Sequence, residues 1–283
     1  MLEVIQDTLL DSIKLLPFLF LTYLLMEYIE HKTSKKAKDT IKKSGKFGPL
    51  LGSLLGIVPQ CGFSVSATNL YAGRVITLGT LISVYLSTSD EMLPIMISES
   101  APITTILTIL LIKFTIGMIA GFIIDLILRL RKKNEEEEKI VDICEKDHCH
   151  CEKGIVKSAI HHTLHIFLFI VIVIFILNLV IYFIGEENIS KFLENQPILG
   201  PAISSLIGLI PNCASSVIIT EMYLGNVINV GTLIAGLLVN AGVGLVVLFK
   251  TNKGIKENIK IVSLLYFIGL ISGIIIQAIG VTL

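Results

Sequence analysis

Apolar residues run along this chain in blocks too long for the helices of a soluble core. Long apolar runs lie near 8–29, 76–98, 102–128, 160–184, 227–249 and 261–281, each at or above the roughly 20 residues that cross a hydrocarbon layer. These predict six full spans. Two further apolar stretches, 47–72 and 199–224, are interrupted midway by Pro59-Gln60-Cys61 and Pro211-Asn212-Cys213. Each piece has about 11 residues and at a rise of about 1.5 Å per residue reaches only about halfway across. They predict broken helical hairpins, whose irregular backbone a membrane tolerates only inside protein or beside a wet cavity. Counted as two short helices each, they bring the total to about ten.

The two interruptions stand 152 positions apart, and the offset extends well beyond them. Residues 48–82 laid over 200–234 give 18 identities in 35 positions, among them Gly56/Gly208, Tyr71/Tyr223 and Gly79/Gly231, and the register still holds at Gly117/Gly269 and Gly121/Gly273. The chain is a duplication of one membrane unit, not a short-period solenoid.

Composition agrees: 53% of residues are hydrophobic and 16% charged, too apolar to cover a soluble surface of this size. The formal net charge of zero conceals an asymmetry. Lysines crowd into 32–46, Arg129, Arg131, Lys132 and Lys133 into a second loop, and Lys250, Lys253, Lys256 and Lys260 into a third. The positive-inside rule puts all three in the cytoplasm, leaving both termini outside the plasma membrane. Each copy then crosses an odd number of times, so the copies have opposite orientation, as in inverted-repeat transporters. The first run is too long, and too acidic at its start (Glu3, Asp7), for a cleaved signal. The predicted fold is an all-α polytopic membrane protein of two inverted repeats, each with three full spans and a broken hairpin. Residues 1–130 form one repeat and 154–283 the other, with a cytoplasmic segment at 131–153.

Candidate chemistry concentrates at the breaks. Cys61 and Cys213 each follow a helix-breaking proline and open a new helical segment, a position that favours the thiolate, the form that binds soft metals. Gln60, Asn212, Ser64 and Ser216 flank them as further ligands. The plainer reading is two small hydrophobes that allow close packing. Glu221, two turns past Cys213, and Asn240 in the next span complete the predicted substrate-binding set. Asp90 and Glu91 fall inside the run 76–98, with Lys113 at a similar depth in the next run. Charges at that depth are costly and call for a partner or a function, so the three form a candidate ion pair or coupling group. Alternatively the span ends near Ser89 and the acids sit in an outer loop.

Cys144, His148, Cys149, His150 and Cys151 cluster in the middle segment, with His161, His162 and His165 following at the entrance to the next helix. The spacing is not that of a closed zinc site, but suits loose capture of soft or borderline metals; the plainer reading is a solvated loop beside the Glu135–Glu138 run. Cytoplasmic thiols stay reduced, which argues against a structural disulfide there. A phosphate-binding Gly-rich loop is absent, as is any nucleic-acid module, and no known catalytic motif or cofactor fingerprint appears. The chain is not predicted to be an enzyme.

The segments GIVPQCGFSVSATNLYAGRVITLGTL, YLSTSDEMLPI and GLIPNCASSVIITEMYLGNVINVGTLIAGLLVNAGVG, with the Cys/His segment between the last two, resemble the ten-helix heavy-metal exporters. Members of that family are also described as arsenic efflux proteins or manganese transporters and are distantly similar to organoarsenical permeases. The resemblance covers nearly the whole chain and implies a secondary transporter that exports a metal or metalloid ion through a mid-membrane site, with the lipid bilayer as its other partner and a homodimer as the oligomer to consider. Paired thiols suit arsenicals, zinc or copper(I), whereas carboxylate and amide oxygens suit manganese. Two alternatives remain open: an anion or small-solute permease using helix N-termini, and a membrane-embedded metal sensor working through the Cys/His segment.

Overall fold

The computed structural model describes residues 45–59, 61–89, 91–131, 155–184 and 199–281, with part of the side chains in 155–184 and scattered helical positions between 8 and 24. Among these residues there is no strand. In the first half, after a short 3-10 turn, come α1 (Gly48–Gly56), α2 (Gly62–Ala72), α3 (Leu78–Ser87), α4 (Met92–Ser98) and α5 (Ile103–Arg131). After α6 (Ile155–Ile184), the second half repeats the series as α7 (Gly200–Gly208), α8 (Cys213–Leu224), α9 (Val230–Val239), α10 (Gly244–Thr251) and α11 (Ile255–Ile279). Apart from ragged ends, each helix of the second series falls on its counterpart at the 152-residue offset.

Local chemistry sets these boundaries. Pro49 and Pro201 occupy the first turns of α1 and α7, where a missing N–H costs nothing. Thr77 and Asn229 cap α3 and α9 by accepting from the amides of Thr80 (3.1 Å) and Thr232 (2.8 Å).

Each of the two interrupted stretches forms two short helices, one on either side of the break. A Cβ placed on Gly52 would lie 2.9 Å from the Thr80 carbonyl, and one on Gly56 would lie 2.7 Å from that of Val84, so α1 runs parallel to α3. The start of α3 therefore lies level with the start of α1. Only five residues join the end of α2 to α3, which requires α2 to turn back alongside α1 instead of continuing across. The second half repeats this arrangement, with Gly200 against Thr232 and Gly208 against Gly236.

The two runs expected as continuous spans, 76–98 and 227–249, are each broken. The first splits into α3 and α4 around 88–91, the second into α9 and α10 around 240–243. Side-chain competition for backbone groups accounts for both. Asn240 Oδ1 accepts from the amide of Gly242 at 2.9 Å, and Gly242 adopts a φ of 53°, a left-handed turn open to glycine. Thr88 turns extended at ψ 129°, and Ser89 Oγ bonds back to the Ser87 carbonyl at 3.0 Å. Pro94 is harmless because it lies in the first turn of α4. Each half thus holds two half-length elements, not one. The helix entering this run ends at Ser87, close to the Ser89 end that the alternative expected, and Glu91 stands at the start of α4, a seven-residue helix whose Met92 and Met96 are buried.

Burial separates a core from a lipid-facing shell. In the apolar window of Val230–Thr251, which takes in the broken pair α9 and α10, 94% of residues are buried, against 28% in α5 and in α11. On α5 the residues Leu107, Leu111, Ile119, Ile123 and Leu126 are exposed, and α11 exposes Phe267, Ile271 and Ile275. Contiguous apolar surface of that extent is the mark of contact with hydrocarbon.

Candidate functional site

The broken helices of the two halves meet at the centre. α2 packs on α10, and reciprocally α8 packs on α4, while α3 touches α9. The Gly244 carbonyl at the second break accepts from Thr68 Oγ1 on α2 and from Tyr85 Oη on α3, each at 3.2 Å. A Cβ on Gly244 would lie 3.0 Å from Ser64 Cβ and 3.1 Å from the Tyr85 ring, so a larger residue would push those side chains back by a few tenths of an ångström.

On the other side of the crossing sits Lys113, 1% exposed. Its ammonium donates to the carbonyl of Thr88, where α3 ends, and to that of Leu237 in the last turn of α9, at 2.9 Å for the latter. The last carbonyls of a helix have no partner within it and carry the negative end of its dipole. Two such ends, one from each half, take the place of water around a cation that would otherwise be prohibitively costly to bury. Thr88, Ser89, Met92, Lys113, Ser216, Leu237 and Asn240 line a crevice here, too tight to admit a water molecule. All described lining residues are neutral except the lysine.

Hydrogen bonds tie this crevice to the second hairpin. Asn240 Nδ2 donates to Ser215 Oγ at 3.1 Å, and Ser215 Oγ in turn donates to the Asn212 carbonyl at 2.8 Å. Asn212 is buried, and its side chain caps α8 through the Ala214 amide at 3.3 Å. Ser64 and Ser216 donate to the carbonyls of Cys61 (2.7 Å) and Cys213 (2.8 Å). Both hydroxyls therefore keep lone pairs free to accept.

Cys61 occupies the cap position of α2 and Cys213 the first position of α8; both are buried and neither is in a disulfide. Cys61 belongs to an apolar cluster with Tyr23, Val65, Val243 and Val247. Of the other predicted residues, Asn240 and Ser216 share the crevice with Lys113. Glu221 is exposed in the last turn of α8, away from it. Glu91 is partly exposed and does not line the crevice. Gln60, Asp90, Cys144, His148, Cys149, His150 and Cys151 lie outside the described residues. His161, His162 and His165 fall on α6, whose backbone alone is described there. Among the described residues, no group of three His, Cys, Asp or Glu side chains could hold a metal ion.

A family model described as "Putative, 10TM heavy-metal exporter" matches residues 1–186 and again 164–282. The chain belongs to this family of ten-span heavy-metal exporters. No curated protein and no solved structure matches it. Membership makes this chain a multi-pass membrane protein of a family described by heavy-metal export.

Sequence reasoning missed Tyr85, Thr68 and Ser215 in this family member's crossing. Thr68 carried a signal, since it is identical to Thr220 across the duplication. Tyr85 and Ser215 carried none, because their counterparts are Leu237 and Phe63.

One end of the molecule holds a second polar group. Arg74, in the loop entering α3, meets Glu257 in the first turn of α11 through two parallel bonds of 3.0 and 3.2 Å, the fork geometry that strengthens guanidinium–carboxylate pairs. Tyr71 Oη also donates to Glu257, as does Asn252 Nδ2 at 3.3 Å. Nearby, Asp125 accepts from Thr77 Oγ1 at 2.7 Å and from the Gly79 amide at 2.9 Å. Arg74, Glu257, Tyr71, Asp125 and Thr77 line a cavity of about 510 Å³.

Proposed function

We propose that this protein is a secondary exporter whose halves form inverted repeats around the crossing of their broken helices, with the substrate passing through the crevice beside Lys113. The observation carrying the reading is that crevice, built from half-helix ends of both copies at the buried centre. Half-helix ends meeting near the middle of the membrane are where transporters of this design hold ions and substrates.

Inversion is supported by the way the long helices run. The end of α5 (Asp125, Arg129) and the start of α11 (Glu257, Lys260) line one cavity together with Leu78 at the start of α3. At the far end of α11, Gln277 faces Gly231 at the start of α9. Equivalent helices thus begin at opposite ends of the molecule, and the reciprocal packing of α2 on α10 and α8 on α4 is the contact pattern of a two-fold relation. Both termini and the external loops take the orientation given by the basic segments, with 131–153 in the cytoplasm of a plasma-membrane protein.

In this reading Cys61 and Cys213 supply soft ligands at the two hairpin turns, with Gln60, Asn212, Ser64, Ser216 and Asn240 completing the coordination of an arsenical or soft metal. Asp90 and Glu91 act with Lys113 in coupling, Glu221 guards the outer end of α8, and the Cys/His cluster from Cys144 to His165 captures metal on the cytoplasmic side. A tolerance panel of arsenite, zinc, copper and manganese tests the substrate. Cells carrying the protein should survive higher doses of the thiophilic species, and Cys61→Ser with Cys213→Ser should remove most of that protection at unchanged membrane abundance. Full protection by the double variant would leave backbone and amide oxygens as the ligands. A second reading, an anion permease, is favoured by one observation: the one charged side chain among the crevice's described lining is a cation. Protection confined to oxyanions would select it.

The Arg74–Glu257 pair joins the two halves at one end only, because its counterparts Asn226 and Thr105 are neutral. Both side chains are partly exposed, at 24% and 33%. A double-mutant cycle of Arg74→Gln and Glu257→Gln should therefore give a coupling of about 1 kcal/mol in thermal stability. Additive losses would show that the pair is not formed in the membrane.

A further inference from the structure

We propose that the cavity between the ends of α3, α5 and α11 binds a phosphate group, that of an anionic phospholipid headgroup, through Arg129 and Lys260. Glu257 is taken by Arg74, Tyr71 and Asn252, and Asp125 by Thr77 and the Gly79 amide. The Arg74 fork is spent on Glu257. Arg129 and Lys260 are exposed in the lining, and neither makes a hydrogen bond or close ion pair to a described residue, Arg129 acting on Asp125 one turn away only through its field. The lining holds three cations, Arg74, Arg129 and Lys260, against two carboxylates, Asp125 and Glu257, and with both carboxylates already hydrogen-bonded this excess selects an anion that presents several acceptor oxygens.

The space suits an amphiphile. About 510 Å³ lies within the range of small-molecule sites, and Leu78, Leu128 and Ile261 supply an apolar wall beside the cations. The cavity also lies at the ends of α5 and α11, the two helices whose exposed faces are apolar along their length. A lipid whose chains follow those faces would bring its headgroup to this level, where basic side chains attract anionic lipids.

The duplication provides an internal control. At the offset of 152, Arg74, Asp125, Arg129, Glu257 and Lys260 correspond to Asn226, Gln277, Val281, Thr105 and Thr108. The same helices close at the other end without any of these charges, so folding does not demand them. The positive-inside rule accounts for the side on which the cations fall, but not for their convergence on a cavity.

The test compares nanodiscs of phosphatidylcholine alone with nanodiscs containing phosphatidylglycerol, reading thermal stability and, by native mass spectrometry, retained lipid. The wild type should be more stable with phosphatidylglycerol and retain it preferentially. Arg129→Gln with Lys260→Gln should lower retention by about tenfold or more, whereas Lys253→Gln with Lys256→Gln, exposed lysines at the same end that do not line the cavity, should leave it intact. Arg129→Lys with Lys260→Arg should keep the preference, which separates lost charge from misfolding. Equal losses in the two neutralised pairs, or no preference in the wild type, would overturn the site. Stabilisation by millimolar inorganic phosphate in phosphatidylcholine discs, abolished by the Arg129/Lys260 pair of changes, would keep the phosphate site and overturn the lipid as its source.

Discussion

Lys113→Met should abolish export while leaving a protein that still reaches the membrane. Methionine keeps the length and packing of the side chain but removes the ammonium that joins the carbonyls of Thr88 and Leu237. Each carbonyl left without a donor in a dry interior costs about 1–3 kcal/mol, a loss concentrated where α3 of one half and α9 of the other end. The breaks should then splay or refill with water, and cellular metal accumulation should return to the level of cells without the protein. Lys113→Arg should not rescue it, because the crevice has no room for even a water molecule and the planar guanidinium is both larger and differently directed. Membrane abundance by immunoblot and melting temperature in detergent separate failed transport from failed folding. Wild-type export by Lys113→Met would remove the crossing from the transport path.

Much of this architecture is legible in the sequence, and what is not legible has physical reasons. The hairpins announce themselves because Pro59 and Pro211 interrupt apolar runs in register with the duplication. The breaks at 88–91 and 240–243 do not. Any hydropathy window averages over them, and in the second copy a single polar residue, Asn240, followed by Ala241 and Gly242, makes the turn. The equivalence of the two breaks is further hidden because Asp90 and Glu91 stand where the other copy has Gly242 and Val243. Lys113 is visible as a charge at membrane depth, but the bonds described for it run to backbone carbonyls, and these have no letter in a sequence. Arg74 and Glu257 lie 183 positions apart, in different copies, with neutral counterparts, so neither periodicity nor duplication pairs them.

Gly121→Val should have the largest effect on stability, and Gly273→Val should match it. In lipid the hydrophobic effect does not drive helices together, so close van der Waals packing across small residues carries the association. A Cβ on Gly121 would collide with Ser83 Oγ, lie 2.6 Å from the Gly79 carbonyl oxygen and 2.9 Å from Pro49 Cβ, striking α3 and α1 at once. At Gly273 it would lie 2.6 Å from Ala235 Cβ and the Gly231 carbonyl oxygen and 3.2 Å from Pro201 Cβ, the same contacts in the second copy. Backbone atoms cannot move aside as a flexible side chain can, so α5 or α11 must be displaced bodily. Overpacking of this kind costs about 1–3 kcal/mol or more. Because Asp125 lies one turn beyond Gly121 and is held by Thr77 and the Gly79 amide, displacing α5 would strain those bonds as well. Both variants should lose the monodisperse peak in detergent chromatography, whereas Gly45→Ala, whose Cβ would meet nothing closer than 3.7 Å, should melt within a few degrees of the wild type. If Gly121→Val melts like Gly45→Ala, α1, α3 and α5 do not pack through this seam.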